Sequence, residues 1–267
     1  MTHHDEGTAS ADSAHAKLKR AHGHIEHLRA SIREAGQGDP YRLPLRVQGE
    51  PETGGKTLRV GALPDKAEEW GLLIGDAIHN LRCALDHIWW ALAIKHLERE
   101  PTEQEASSIQ FPILKPGGNW DPGNHTGWVG AEATEIAAEA QPHNGLDGGE
   151  IHPLAVLRVL SNADKHRVIA ATVHVLGETT IQMRRIKGEG EISGLIGTAE
   201  SIQDRPVKEG DVVFRIPADS VLLHPDVEYK ADLTGYVATR GGWDALAILD
   251  AVETWVAAIV GRYERLL

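Results

Sequence analysis

Apolar residues recur at spacings of three and four at Leu18, Ala21, Ile25, Leu28 and Ile32, which predicts an amphipathic helix ending near Gly36. Residues 1–13 are small, polar and acidic without periodicity and are expected to form a disordered tail. Around the turn-forming stretch 49–55, Tyr41 to Val47 and Thr57 to Val60 alternate apolar and polar side chains, the pattern of a β-hairpin. Asp65 to Glu98 carries helical spacing with no internal proline and predicts the longest helix. Residues 101–130 read as a long loop anchored by Phe111-Pro-Ile113, Trp120 and Trp128, followed by a short helix over 131–140. His152 and Pro153 open a further helix expected to run to about Val175. From Glu178 to about Arg240, β-branched runs split by Gly, Pro and Asp predict a small antiparallel sheet, and Trp243 to Leu267 returns to helical spacing. The predicted fold class is α+β: a bundle of about four main helices, an N-terminal β-hairpin and a small antiparallel sheet before the C-terminal helix, in a single domain over 14–267.

Two of these helices carry more polarity than packing requires. On a helical wheel, Ile74, Ile78, Leu81, Leu85, Ile88 and Leu92 form one narrow apolar seam. The opposite stripe holds Asp76, Asn80, Cys83 and His87, with Trp90 nearby and neither Lys nor Glu. His79, Arg82 and Asp86 make a third row, in which an Arg82–Asp86 pair at i,i+4 is the plain structural reading. In the later helix, Leu157, Leu160, Val168, Ala171 and Val175 mark an apolar face with Asp164 in its middle. A lone carboxylate there costs several kcal/mol unless it finds a partner, and His79, Arg82, His87 or its neighbours Lys165, His166 and Arg167 are the candidates. The expectation is a polar centre between the two helices: Asp76, His79, Asn80, Arg82 and His87 from one, Asn162, Asp164, His166 and Arg167 from the other, with Lys165 beside them. Such a centre either performs chemistry or fixes which helices pack together.

Charge and composition narrow the classes. In 267 residues, 27 Lys and Arg face 39 Asp and Glu, a net charge of −12, the wrong sign for general electrostatic binding of nucleic acid. Arg158, Lys165, Arg167 and the Met183-Arg-Arg-Ile-Lys187 stretch leave room for a local positive surface. Cys83 is the one cysteine, which excludes an internal disulfide or a multi-cysteine zinc site and fits a reducing compartment, the cytoplasm. No apolar run reaches about 18 residues and the N-terminus lacks a signal-peptide pattern, so neither a membrane span nor secretion is expected. The glycines at 49–55 lack the Gly-Lys-Ser/Thr ending of a P-loop, and there is no Gly-x-Ser-x-Gly elbow. His15, His22, His24 and His27 ride the flanks of the first helix without a carboxylate pattern and read as a solvated face. Asp76, His79, His87, Asp164 and His166 would be N/O ligands if the bundle held a metal; Asp76-x-x-His79 has the spacing of the Glu-x-x-His pair of di-iron bundles with a shorter acid. That pair itself is absent, and neither a metal nor another cofactor is assigned.

The blocks Trp70-Gly-Leu-Leu-Ile-Gly-Asp-Ala-Ile-His-Asn-Leu-Arg-Cys-Ala-Leu-Asp-His87, Phe111-Pro-Ile113, Gln141-Pro142, His152-Pro-Leu154 and Asn162-Ala-Asp-Lys-His-Arg167 resemble, in the same order and over nearly the whole chain, a family of uncharacterised proteins of actinobacteria and their phages. That family carries no established activity. Arg82-Cys-Ala-Leu-Asp-His87 is also similar to the Arg…His motif of HEPN domains. This second resemblance implies a homodimer that cleaves RNA without metal, with His87 in proton transfer and Arg82 on the phosphate; His79, Asp164 and His166 of the polar centre are the further catalytic candidates. Two features depart from it: five residues separate Arg82 and His87 by about 140° on a regular helix, and the β segments are extra to a plain HEPN bundle. A non-catalytic binding or interaction module, its polar centre structural, is the alternative.

Overall fold

The computed structural model describes residues 10–36, 42–115, 118–142, 152–165, 168–175, 180–185, 187, 194, 197–200, 205–239 and 242–267. Its architecture is α+β. Helices α1 (Ala11–Ala35), α2 (Ala67–Leu97), α6 (Pro153–Asp164) and α7 (Ala245–Glu264) are the long ones. Between α2 and α6 lie α3 (Glu103–Ala106), α4 (Gly123–Val129) and α5 (Ala131–Glu139). The strands are β1 (Arg42–Leu43), β2 (Leu45–Gly49), β3 (Lys56–Val60), β4 (Thr172–Val175), β5 (Thr180–Arg185), β6 (Thr198–Ala199), β7 (Val212–Ile216) and β8 (Val227–Ala238). Among the described residues, no helix is long and apolar enough to cross a membrane.

The chain divides into two compact units built from discontinuous stretches. The first comprises residues 1–28, 71–169 and 246–267, the second 29–70 and 170–245.

The first unit is helical. The seam Ile74, Ile78, Leu81, Leu85 and Ile88 is fully buried, as are Ala14, Ala21 and Leu28 of α1 and Leu249, Val252 and Val256 of α7. Trp89, Phe111 and Tyr263 pack edge to face with ring centroids 5.5–6.2 Å apart. The Tyr263 hydroxyl donates to the Ala133 carbonyl, giving this buried phenol its partner. His15–Glu264 and His22–Glu253 contacts run α1 and α7 antiparallel. α1 begins at Ala11, earlier than the tail reading of 1–13 allows, because Ser10 and Ser13 cap each other: each backbone N–H donates to the other's hydroxyl. Residues 1–9 lie outside the described residues.

The second unit holds the strands. β2-β3-β7-β6 form one sheet, with the predicted hairpin realised as β2 against β3, Leu45 opposite Val60. In the other, β8 pairs with β1, β4 and β5, all antiparallel. One apolar cluster gathers Leu43, Val60, Val207, Val213 and Leu233, another Leu58, Phe214, Ile216 and Leu222.

One boundary differs from expectation in a way that matters for the site. α6 ends at Asp164, and residues 172–175 form β4 rather than the end of that helix. The run Thr172-Val-His-Val175 is β-branched at three of its four positions and finds a ladder on β8, Thr172 opposite Ala238, which outweighs the weak helical spacing of its apolar residues. Val168, placed by that spacing on the apolar face, is instead exposed.

Candidate functional site

The polar residues of α2 point two ways. Asp76 and His87 turn toward α1: the Asp76 carboxylate lies 3.9 Å from His24 and the His87 Nδ1 3.1 Å from the Ser13 hydroxyl. Asn80 is buried and donates to the carbonyl of Asp76 in its own helix. Burial, helped by the Lys17 charge, pushes the His87 imidazole below its ordinary range, so the ring is neutral at pH 7.

His79, Arg82, Cys83 and Asp86 face the other way, into a cleft of about 480 Å³ whose far wall is α6, with Arg158, Asn162, Asp164 and Lys165. The segment Gln110–Ile113, His125 and Ser161 complete the lining. His125 is stacked on Trp120 at 5.0 Å, and burial lowers the pKa of its ring. The Cys83 thiol lies 3.5 Å from His79 Nε2, and burial raises the thiol pKa, which keeps it protonated.

One wall of the cleft is a stretch of chain held by its peptide groups. Arg82 donates through Nε and Nη2 to both oxygens of Asp86, at 3.1 and 2.8 Å. Arg82 Nη2 also donates to the Phe111 carbonyl at 2.7 Å, while the Phe111 N–H donates to Asp86 Oδ1 at 3.0 Å. From the other side comes Gln141, fully buried, whose amide accepts from the Leu114 N–H at 2.8 Å and donates to the carbonyls of Pro112 and Ala137 at 2.9 Å. The i,i+4 pair and the glutamine thus serve residues 111–114 as neighbouring strands would, and Pro112 brings no N–H needing a partner.

The approach of α6 to α2 depends on two glycines. A Cβ on Gly75 would lie 2.4 Å from Asp164 Oδ1, and one on Gly71 2.2 Å from the Ile169 carbonyl oxygen. The spacing of four puts both on one face of α2, so Asp164 and Ile169 lie directly against its backbone. Asp164 is therefore not in the middle of a buried apolar face; it is the last residue of α6, half-buried beside the cleft. There it remains partly hydrated, and among the described residues it makes no hydrogen bond or ion pair, neither with Arg82 nor with His79 or His87. Arg158 and Lys165 likewise have no such partner among the described residues.

Of the residues singled out from sequence, the cleft brings together His79, Arg82, Asn162, Asp164 and Lys165. It does not gather Asp76, Asn80 or His87, and His166 and Arg167 lie outside the described residues. Among the described residues there is no cluster of three or more His, Cys, Asp or Glu side chains placed to hold a metal ion. Sequence reasoning missed the roles of Gln141, Gly71, Gly75 and His125. The Gln141-Pro142 block and the repeat of glycine four residues apart in Gly71-Leu-Leu-Ile-Gly75 were the available signals.

Comparison of the chain with protein-family models, with curated proteins and with solved structures yields no match.

Proposed function

We propose that this chain is a non-catalytic binding module whose α2–α6 cleft receives a small ligand and whose Arg82–Asp86 pair is structural. The observation that carries this reading is the commitment of both side chains to the main chain of Phe111. For Arg82 to meet a phosphate it would have to release a bidentate carboxylate and a carbonyl, and breaking such a half-buried pair costs about 2–5 kcal/mol. His87 supports the same reading, since it faces Ser13 on α1 and lines no part of the cleft. The cleft volume of about 480 Å³ falls in the range of small-molecule sites, ~300–1,000 Å³. An RNA-directed hydrolase similar to HEPN domains needs Arg82 and His87 on one phosphate, by distortion of α2 or from two copies of the chain in a dimer. The test is incubation of the purified chain with a mixed RNA substrate and chelator, beside a folded His87→Ala variant. The binding reading expects intact RNA in both; cleavage by the parent that His87→Ala abolishes would overturn it.

A further inference from the structure

The cleft holds more positive charge than its own structure uses. Arg82 and Asp86 neutralise each other at 2.8 Å. Of what remains, Asp164 offsets one of the two cations Arg158 and Lys165, while the His125 ring, sunk among aromatic neighbours, is neutral. Among the described lining residues the balance is positive on a chain of net charge −12, the reverse of what composition alone would place there. Arg158 is half-buried and sits six residues before the end of α6, about 9 Å up the helix and clear of the partial negative charge at its C-terminus. The opposite side of the cleft is different in kind. Phe111 spends its ring on Trp89, and the surfaces left to a ligand are Pro112, Ile113 and the His125 imidazole, held flat by its stack on Trp120.

We infer that the cleft binds a compact ligand with one anionic group, phosphate or carboxylate, and an apolar or aromatic body: the anion on Arg158 and Lys165, the body on Pro112, Ile113 and His125. The inference rests on the binding-module reading and gives it a ligand class. Arg158 supplies a planar, multi-donor head suited to either anion, Lys165 a mobile point charge at the rim. Asp164, next to Lys165 and without a partner among the described residues, opposes the anion, which predicts an effect of opposite sign when its charge is removed.

Phenyl phosphate and phenylacetate carry these two anions on the same ring, and benzylamine carries a cation on it. In calorimetric titrations of the full chain, one of the two anionic probes is expected to saturate at one per chain, about tenfold tighter than inorganic phosphate or acetate because the ring is buried as well. Whichever anion wins identifies the headgroup. Arg158→Gln is expected to weaken binding about tenfold and Lys165→Gln, at an exposed position where folding is not at risk, about threefold. Asp164→Asn is expected to tighten it about threefold. Saturation by benzylamine instead, lost in Asp164→Asn, would overturn the anion assignment while leaving the cleft a binding site. No saturation by either anionic probe, or saturation unchanged in both Arg158→Gln and Lys165→Gln, overturns the inference. The underlying reading fails by a separate observation, RNA cleavage that depends on His87.

Discussion

If Arg82 and Asp86 hold Phe111 in place, each should be worth more to local stability than an ordinary surface ion pair, and the two should be strongly coupled. Asp86→Ala removes the acceptor of the Phe111 N–H, on a residue 1% exposed, and leaves the Arg82 guanidinium, 19% exposed, without its carboxylate. Orphaning a buried N–H costs about 1–3 kcal/mol, and stranding the charge adds to it, so about 2–4 kcal/mol is expected. Arg82→Ala keeps the Asp86–Phe111 bond but strips the Phe111 carbonyl of its charged donor, for about 1–3 kcal/mol. In the double variant no charge is left stranded, so the two single costs are less than additive and the coupling energy is about 1–2 kcal/mol. With two compact units in the chain, a single global transition is the wrong readout, and the effect is better read where it acts. Native-state hydrogen exchange at the Phe111 amide should lose about 30-fold or more of its protection in Asp86→Ala, the equivalent of about 2 kcal/mol. Near-ultraviolet circular dichroism of Trp89, 5.5 Å from the Phe111 ring, should change in parallel. Unchanged protection in both single variants, with coupling below about 0.5 kcal/mol, would refute the structural role and return Arg82 to the pool of groups free for chemistry.

Gln141→Leu preserves bulk but deprives Leu114, Pro112 and Ala137 of their partner, and should lower stability by about 2–4 kcal/mol in a local exchange measurement, whereas Gln141→Glu keeps only the acceptor and should fall between. Gly71→Ala and Gly75→Ala should diverge although both gain about 0.5–1 kcal/mol of helix propensity. At 71 the new methyl meets a carbonyl of the main chain and should cost about 1–3 kcal/mol net of rearrangement, while at 75 it meets the end of the Asp164 side chain, which can rotate away, so stability should stay within about 1 kcal/mol; native-state hydrogen exchange of the α2 amides in the two variants checks this. Burial holds the imidazoles of His87, His125 and His152 below the ordinary value of 6.5. The unfolded chain therefore takes up protons first, so the stability these groups contribute is complete above about pH 6.5 and is lost as the pH falls toward their folded values; NMR titration should find all three midpoints under 6.5, and a midpoint at or above it would remove that residue from the account. The Glu105 carboxyl, hydrogen-bonded by Arg99 and by the Thr102 N–H and hydroxyl of its capping box, is held down to about 2 and should remain ionised in a carbonyl-carbon NMR titration at pH 3.

Sequence periodicity located the long helices, the β2–β3 hairpin and the sheet because each buries one side, and that leaves a period of 3.6 or 2 in the residues. It misplaced the end of α6 because Ala171 and Val175, four apart, fit both periods over so short a stretch, and only pairing with β8 decides between them. The Arg82–Asp86 pair was legible because its spacing is local. What it grips was not: Phe111 lies 25 and 29 residues further on, and Gln141 reaches 27 residues back to Leu114. Bonds from a side chain to a distant peptide group leave no mark on the residue that receives them. For the same reason the stripe Asp76, Asn80, Cys83 and His87 looked like one surface on the wheel, though its members serve two different neighbours. A wheel fixes angle, but not which helix fills it.

The way Phe111 to Leu114 is fastened separates the hold on this segment from the chemistry it displays. Its anchors take hold of peptide N–H and C=O groups, which every residue type except proline supplies alike. Gln110 and Ile113 line the cleft with side chains that bear none of that load. Exchanging them would change the lining of the cleft, and with it the proposed ligand preference, while the Arg82–Asp86 and Gln141 fastening stays the same. Preference could then drift by single substitutions at 110 and 113, each neutral for folding, on a frame that need not be rebuilt.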